Sequence, residues 1–296
     1  MNPNFSGVYT ALVTPFDKNF RVDFKSLETL VKQQLQAGVQ GFVINGTTAE
    51  SPTLEISEVK EIWQSVRGWS RPETKLILGT GSNCTRKTIE MTQKAVDWKA
   101  DAALVVVPYY NKPPQRGLFQ HFKKVADEAG APILLYNVPG RTITSLSVET
   151  AVELSHVPHI IGIKDATGDM EIARALKAKT RPGFQLLSGD DGTYAAFLKE
   201  GGHGIISVGS HVVPDLFLKV TELSGKKNDQ AAQALQDEFK NLIDSLYIEA
   251  NPIPVKKALQ LMGLLKGAGL RLPLLEAQTA TEEKLKAELR KKGLLK

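Results

Sequence analysis

Short apolar runs rich in Val, Ile and Leu alternate along this chain with longer segments whose apolar residues recur at helical spacing. Eight runs stand out: VYTALV (8–13), GFVIN (41–45), KLILGT (75–80), AALVVV (102–107), PILLY (132–136), IIGIK (160–164), FQLLS (184–188) and GIISV (204–208). They are apolar at successive rather than alternate positions, as a parallel strand covered on both faces requires. Between them, Val59, Ile62, Trp63 and Val66 form one apolar helical stripe, and Leu118, Phe122, Val125, Ala126 and Ala129 form another, each with a charged reverse side. The intervening segments are long enough for crossover helices. Eight such units predict an α/β fold, a (β/α)8 TIM barrel over residues 1–225, with a doubly wound open sheet as the main competitor.

Beyond residue 225 the strand-like runs stop. Ala232, Leu235, Phe239, Leu242, Ile243 and Leu246 lie on one helical stripe, and NPIP (251–254) and LRLPL (270–274) break the remainder into pieces, because proline ends helices. Thr279 and Glu282 have the spacing of a capping box at the start of a closing helix. Residues 226–296 are therefore expected to be a C-terminal helical appendage packed on the barrel.

Charge removes some functions. The chain of 296 residues carries 37 basic and 32 acidic groups, spread rather than gathered into a basic tract with interleaved aromatics, so nucleic acid is not an expected partner. The lysine-rich EEKLKAELRKKGLLK reads as a solvated helix face. A lone cysteine, Cys84, excludes an internal disulfide framework. No signal-peptide h-region or apolar run of membrane-spanning length is present, so a cytoplasmic, membrane-free protein is expected.

Barrel enzymes place their chemistry at the C-terminal ends of the strands, and the residues there are strongly patterned. Thr14, Thr47, Thr48, Thr80, Tyr109, Tyr110, Tyr136, Ser188 and Ser207 supply hydroxyls and phenols, and Lys164 supplies one amine. No His/Cys/Asp/Glu spacing suits a metal, and neither a phosphate-binding loop nor a nucleophile elbow occurs. The chemistry is expected to be organic, metal-free and cofactor-free.

An amine ringed by hydroxyls suggests a Schiff-base nucleophile, since only the neutral amine attacks a carbonyl. At an ordinary pKa of about 10.4, roughly one lysine in 2,500 is neutral at pH 7, and an apolar strand end is the device that raises that fraction. Tyr136 ends the preceding run, where its phenol would shuttle protons to and from the lysine. Taken singly, each has an ordinary alternative: an ion-paired or snorkelling lysine, a packing tyrosine. Their occurrence on successive strands favours function.

The motifs YNVPGRT (136–142), GIKDATG (162–168), GTTAES, GTGSN, PYYNKP, LLSGDD, GGHGIISV and NPIPVK together resemble the dihydrodipicolinate synthase and N-acetylneuraminate lyase family of class I aldolase-type lyases, nearly end to end. YNVPGRT and NPIPVK point to the synthase branch. The resemblance implies that Lys164 forms an imine with pyruvate, whose enamine condenses with L-aspartate 4-semialdehyde to 4-hydroxy-tetrahydrodipicolinate in lysine (diaminopimelate) biosynthesis. It implies a proton relay of Tyr136, Thr47 and Tyr110, with Tyr110 reaching into a neighbouring subunit of a dimer or dimer of dimers. Thr48 would hold the pyruvate carboxylate, Arg141 that of the semialdehyde, and Gly189 and Ile206 would offer backbone groups around the imine. Two alternatives stay open: a related pyruvate aldolase or dehydratase acting on a sugar acid, and a catalytically silent keto-acid-binding barrel.

Two departures from the family pattern matter. Ala49 replaces the usual glycine of GTTGE, a change that costs about 1 kcal/mol if the turn needs φ > 0 and almost nothing otherwise. In lysine-inhibited members a histidine and a glutamate help bind the effector, and Val59 and Lys87 stand in their places here, although Ser51, Asn83 and Tyr109 remain. A cation facing a cationic effector repels it, so weak or absent lysine feedback is expected. Cys84 and His203 are expected to be structural. Asp165, the strand neighbour of Lys164, should point the other way and is left off the catalytic list.

Overall fold

The computed structural model of the chain describes residues 4–295. Eight strands form in the predicted places: β1 (Gly7–Ala11), β2 (Gly41–Ile44), β3 (Lys75–Gly79), β4 (Ala102–Val106), β5 (Ile133–Asn137), β6 (Ile160–Asp165), β7 (Gln185–Ser188) and β8 (Gly204–Ser207). They close into one barrel in sequential order, which excludes the open doubly wound sheet. Apart from the half-buried Lys75 of β3 and Val106 of β4, every strand residue is buried, in keeping with apolar runs covered on both faces.

The chain clusters into two compact units. One comprises residues 4–8 and Lys75–Ile206. Here β3 to β8 pair in parallel, and the helices Thr85–Asp97, Gln115–Ala129, Val148–Ser155 and Met170–Lys179 follow their strands. The helix Gln115–Ala129 buries the predicted stripe of Leu118, Phe122, Val125, Ala126 and Ala129. A register shift near Ile133 bears directly on the site: Ile133 pairs with Ile160, whereas Leu134 pairs with Gly162, leaving Ile161 as an extra residue in β6. Gly162 meets a close neighbour at this bulge, since a Cβ there would lie 2.5 Å from the Gln185 carbonyl oxygen and 2.9 Å from Leu134.

The other unit comprises Tyr9–Thr74 and residues 207–295. β1 and β2 pair in parallel, and the helices Phe24–Ala37 and Ile56–Trp69 pack side by side. The helix Ile56–Trp69 buries Val59, Ile62, Trp63 and Val66 as expected. The C-terminal helices Asp229–Glu238, Lys240–Ser245, Ile253–Leu261 and Thr279–Lys291 also belong to this unit, the last packing on the two before it.

Two sequence expectations fail in this region. The continuous stripe from Ala232 to Leu246 is broken at Phe239, whose φ of −101° and ψ of 0° end one helix and start the next. Leu235 and Phe239 are only half-buried, and the Phe239 ring faces the Lys292 ammonium at 4.2 Å. The capping box of Thr279 and Glu282 does not form, because Gln278 is the N-cap residue. The Gln278 N–H donates to the Glu249 carboxylate at 3.0 Å, while Glu282 ion-pairs with Lys286 and Lys257. A distant carboxylate has taken the role assigned to the local one.

Candidate active site

Strand register builds the centre of the site. The bulge at Ile161 slides β6 by one residue, so that Lys164 pairs with Tyr136; continued without it, the Ile133–Ile160 register would set Lys164 against Asn137. Both side chains are buried, Lys164 at 6% exposure and Tyr136 at 8%, and the lysine Nζ lies 4.4 Å from the centroid of the tyrosine ring. An amine and a phenol-bearing ring are thus in contact at the C-terminal ends of adjacent strands.

Gly189, just after β7, adjoins the lysine stem. A Cβ there would lie 2.7 Å from Lys164 Cε, 3.1 Å from Lys164 Cγ and 2.7 Å from the Ala166 Cβ. The position therefore needs a residue without a side chain. Its N–H already donates to the Asp165 carbonyl at 2.6 Å, which leaves its carbonyl as the backbone group on offer. Ile206 is buried on β8.

In the other unit the segment after β2 turns into a short 3-10 helix, Thr47–Ala49. Thr48 is buried, and its Oγ1 accepts from Asn251 Nδ2 at 2.9 Å. Glu50 takes the left-handed conformation, φ 59°, at the end of the turn. Its carboxylate accepts from the fully buried Lys256 at 2.7 Å and from the Arg271 N–H at 2.9 Å. Lys256 also donates to the Gly269 carbonyl at 2.7 Å, and burial pushes its ammonium below the ordinary lysine value, opposed by the Glu50 charge. The Arg271 guanidinium is fixed by Glu58 and by the carbonyls of Phe20 and Thr53. This ion-pair cluster anchors the threonine turn to the C-terminal segment.

The sequence profile of the Dihydrodipicolinate synthetase family matches residues 4–292. The chain belongs to this family. It is 53% identical to a 4-hydroxy-tetrahydrodipicolinate synthase of Bdellovibrio bacteriovorus over 99% of each chain. Among solved structures it is similar to the chloride-inhibited dihydrodipicolinate synthase of Acinetobacter baumannii complexed with pyruvate, at 41% identity and a TM-score of 0.96 over 99% of this chain and 100% of that one. It is also similar to the lysine-bound enzyme of Cyanidioschyzon merolae, at 37% identity and a TM-score of 0.94 over 98% and 99% of the two chains.

The other residues singled out in the sequence of this dihydrodipicolinate synthetase family member occupy varied surroundings. Ala49 is not among the residues with positive φ, so its methyl group costs the turn nothing in backbone strain, and Thr14 Oγ1 donates to its carbonyl at 2.9 Å. Tyr110 follows β4 at φ 76° with 88% of its surface exposed, so its own chain covers little of it. Arg141 is exposed in the turn Pro139–Thr142, which Thr142 closes by donating to the Val138 and Thr144 carbonyls. Gln115 braces that segment, donating to the Ser145 carbonyl and accepting from the Ser147 N–H. Val59 is core, and Lys87 is exposed.

His203 is structural: its Nδ1 accepts from the Leu186 N–H at 3.0 Å. Cys84 is the N-cap residue of the helix Thr85–Asp97, where the Lys87 and Arg86 N–H groups hold its thiol below the ordinary value. Sequence reasoning missed Asn251, Gly189's steric role and the Glu50–Lys256–Arg271 cluster. Asn251 and Lys256 both lie within NPIPVK, which the sequence marked without assigning them work.

Proposed function

We propose that the chain is a 4-hydroxy-tetrahydrodipicolinate synthase acting in lysine (diaminopimelate) biosynthesis, with Lys164 as the imine-forming residue. The observation that carries this reading is the buried Lys164 amine in register and in contact with Tyr136. The Lys164 amine adds to C2 of pyruvate, water leaves, and loss of a methyl proton gives an enamine. The enamine carbon attacks the aldehyde of L-aspartate 4-semialdehyde. The semialdehyde's own amine then displaces Lys164 from C2, closing the ring and freeing the lysine.

Each addition and elimination moves a proton, and Tyr136, Thr47 and Tyr110 are the relay. Thr48 holds the pyruvate carboxylate: because Asn251 occupies a lone pair of its oxygen, its hydroxyl proton is free to donate. Arg141 supplies a planar bidentate donor for the carboxylate of the semialdehyde. The exposed Tyr110 completes the site of a second copy, which requires at least a dimer.

Borohydride reduction in the presence of pyruvate, read by peptide mass, is expected to leave a covalent adduct on Lys164. An unmodified Lys164 overturns the mechanism. Turnover of the semialdehyde is then compared with that of sugar acids; an inert semialdehyde beside a reactive sugar acid overturns the substrate assignment.

A further inference from the structure

We infer that Asn137 and Asp165 are positioning residues for this site, a buried hydrogen-bonded pair that locks the Lys164 strand, the Tyr136 strand and the Arg141 segment into one arrangement; the inference rests on the imine chemistry proposed above. The two are register partners, one step beyond Tyr136 and Lys164 on β5 and β6. Successive strand residues point to opposite faces, so this pair lies behind the amine and the phenol and does not face the reacting carbonyl. Both are almost completely buried, at 1% and 3% exposure.

Their hydrogen bonds run in three directions. Asn137 Nδ2 donates to Asp165 Oδ1 at 3.1 Å, joining the strands. Asn137 Oδ1 accepts from the Leu146 N–H at 2.9 Å, tying down the far end of the segment that carries Arg141. The second Asp165 oxygen accepts from the Thr167 hydroxyl at 2.5 Å, and the Asp165 carbonyl accepts from the Gly189 N–H at 2.6 Å. Burial pushes the Asp165 carboxyl above its ordinary value and the nearby Asp169 adds to that push, while the Thr167 and Asn137 donors hold it back.

The pair answers a problem created by the bulge. A slip of one residue would set Lys164 against Asn137, and the tight fit of Gly162 against the Gln185 carbonyl already opposes it. That slip would also part the Asp165 carboxylate from its Asn137 amide donor. The polar pair adds a hydrogen-bonded lock to the register that Gly162 fixes sterically.

An exchange of the two side chains tests this. Asn137→Asp sets two carboxylates face to face; it is expected to slow borohydride trapping of pyruvate and kcat by about tenfold or more, and to raise KM for the semialdehyde. The reciprocal double variant, Asn137→Asp with Asp165→Asn, restores a donor and an acceptor across the same gap and is expected to recover both rates to within about threefold of wild type, a coupling that independent sites do not show. Wild-type trapping in the single variant, or a double variant no better than the single, would overturn the inference. If Asn137→Asp does not fold, Thr167→Val removes one donor from the half-buried edge of the pair and is expected to slow trapping; unchanged trapping overturns the inference equally. A wild-type protein that traps no pyruvate refutes the proposed function itself.

Discussion

Lys164 and Tyr136 are register partners on adjacent strands, and the lysine Nζ lies 4.4 Å from the centroid of the tyrosine ring. The ring face and the hydroxyl are separable by mutation. Tyr136→Phe keeps the buried ring against the lysine and removes the proton-carrying oxygen, so the fold and pyruvate binding should persist while kcat falls by about 10²–10⁴. A phenylalanine variant with wild-type kcat would place the proton chemistry elsewhere.

Gly189 offers a steric test of the same amine. The Cβ of Gly189→Ala would lie 2.7 Å from Lys164 Cε, and Ala166 closes the other side at 2.7 Å, so the lysine stem must move. Misplacement by about 1 Å is enough to cost on the order of 10²-fold in rate. Trapping of pyruvate should slow accordingly, and the contact with Ala166 should lower the unfolding midpoint as well. Unaltered trapping would mean that the stem has slack that its contacts do not suggest.

The Glu50–Lys256 pair should be destabilising to break. Both side chains are shielded from solvent, so Lys256→Met leaves a buried carboxylate with the Arg271 N–H as its remaining named partner. A loss of about 3–5 kcal/mol in denaturant-measured stability is expected, with a weaker KM for pyruvate because Glu50 closes the turn that holds Thr48. The double replacement Glu50→Gln with Lys256→Met should cost less than Lys256→Met alone.

The barrel was legible because parallel strands buried on both faces leave unbroken apolar runs, and Lys164 because an ammonium ends one of them. The bulge was not, since Ile161 adds to the hydrophobic signal of β6 whether or not it has a partner. Asn137 and Asp165 were hidden for a related reason: each is an ordinary polar residue at a strand end, and their pairing is a property of register. The capping box failed because a short-range pattern cannot see Glu249 arriving from 29 positions away. Gly189 and Asn251 are likewise defined by what they touch across the fold.

Buried histidines should contribute to a loss of stability in acid. His211 is completely buried; its Nε2 accepts from the Val13 N–H at 3.2 Å and its Nδ1 faces the Val208 carbonyl at 2.8 Å, a pattern only the neutral ring satisfies. Burial lowers its pKa to about 4. Burial also lowers His121 to about 4, and His203 is shifted in the same direction. Below the unfolded value of about 6.5 the unfolded chain takes up protons that the native state refuses. Stability should therefore be flat above pH 7 and fall between pH 6.5 and 4, by about 1.4 kcal/mol per pH unit for each of His121 and His211. Urea midpoints at pH 7.5 and 5 measure the slope, and His121→Asn with His211→Asn should flatten it.

Lysine feedback should be weak or absent. A similar structure from Cyanidioschyzon merolae has lysine bound, so the family includes members that take this ligand. Here Val59 is committed to the core of the helix Ile56–Trp69 and offers no hydrogen-bonding group. Lys87, exposed in the first turn of the helix Thr85–Asp97, would present an ammonium to an effector that carries one of its own. Ser51, Asn83 and Tyr109 cannot offset that repulsion, because none of them is a carboxylate. Initial rates measured against rising lysine at constant ionic strength should stay level into the millimolar range, and Lys87→Glu should lower the concentration needed for inhibition. Half-inhibition of the wild type well below a millimolar would sink the charge argument.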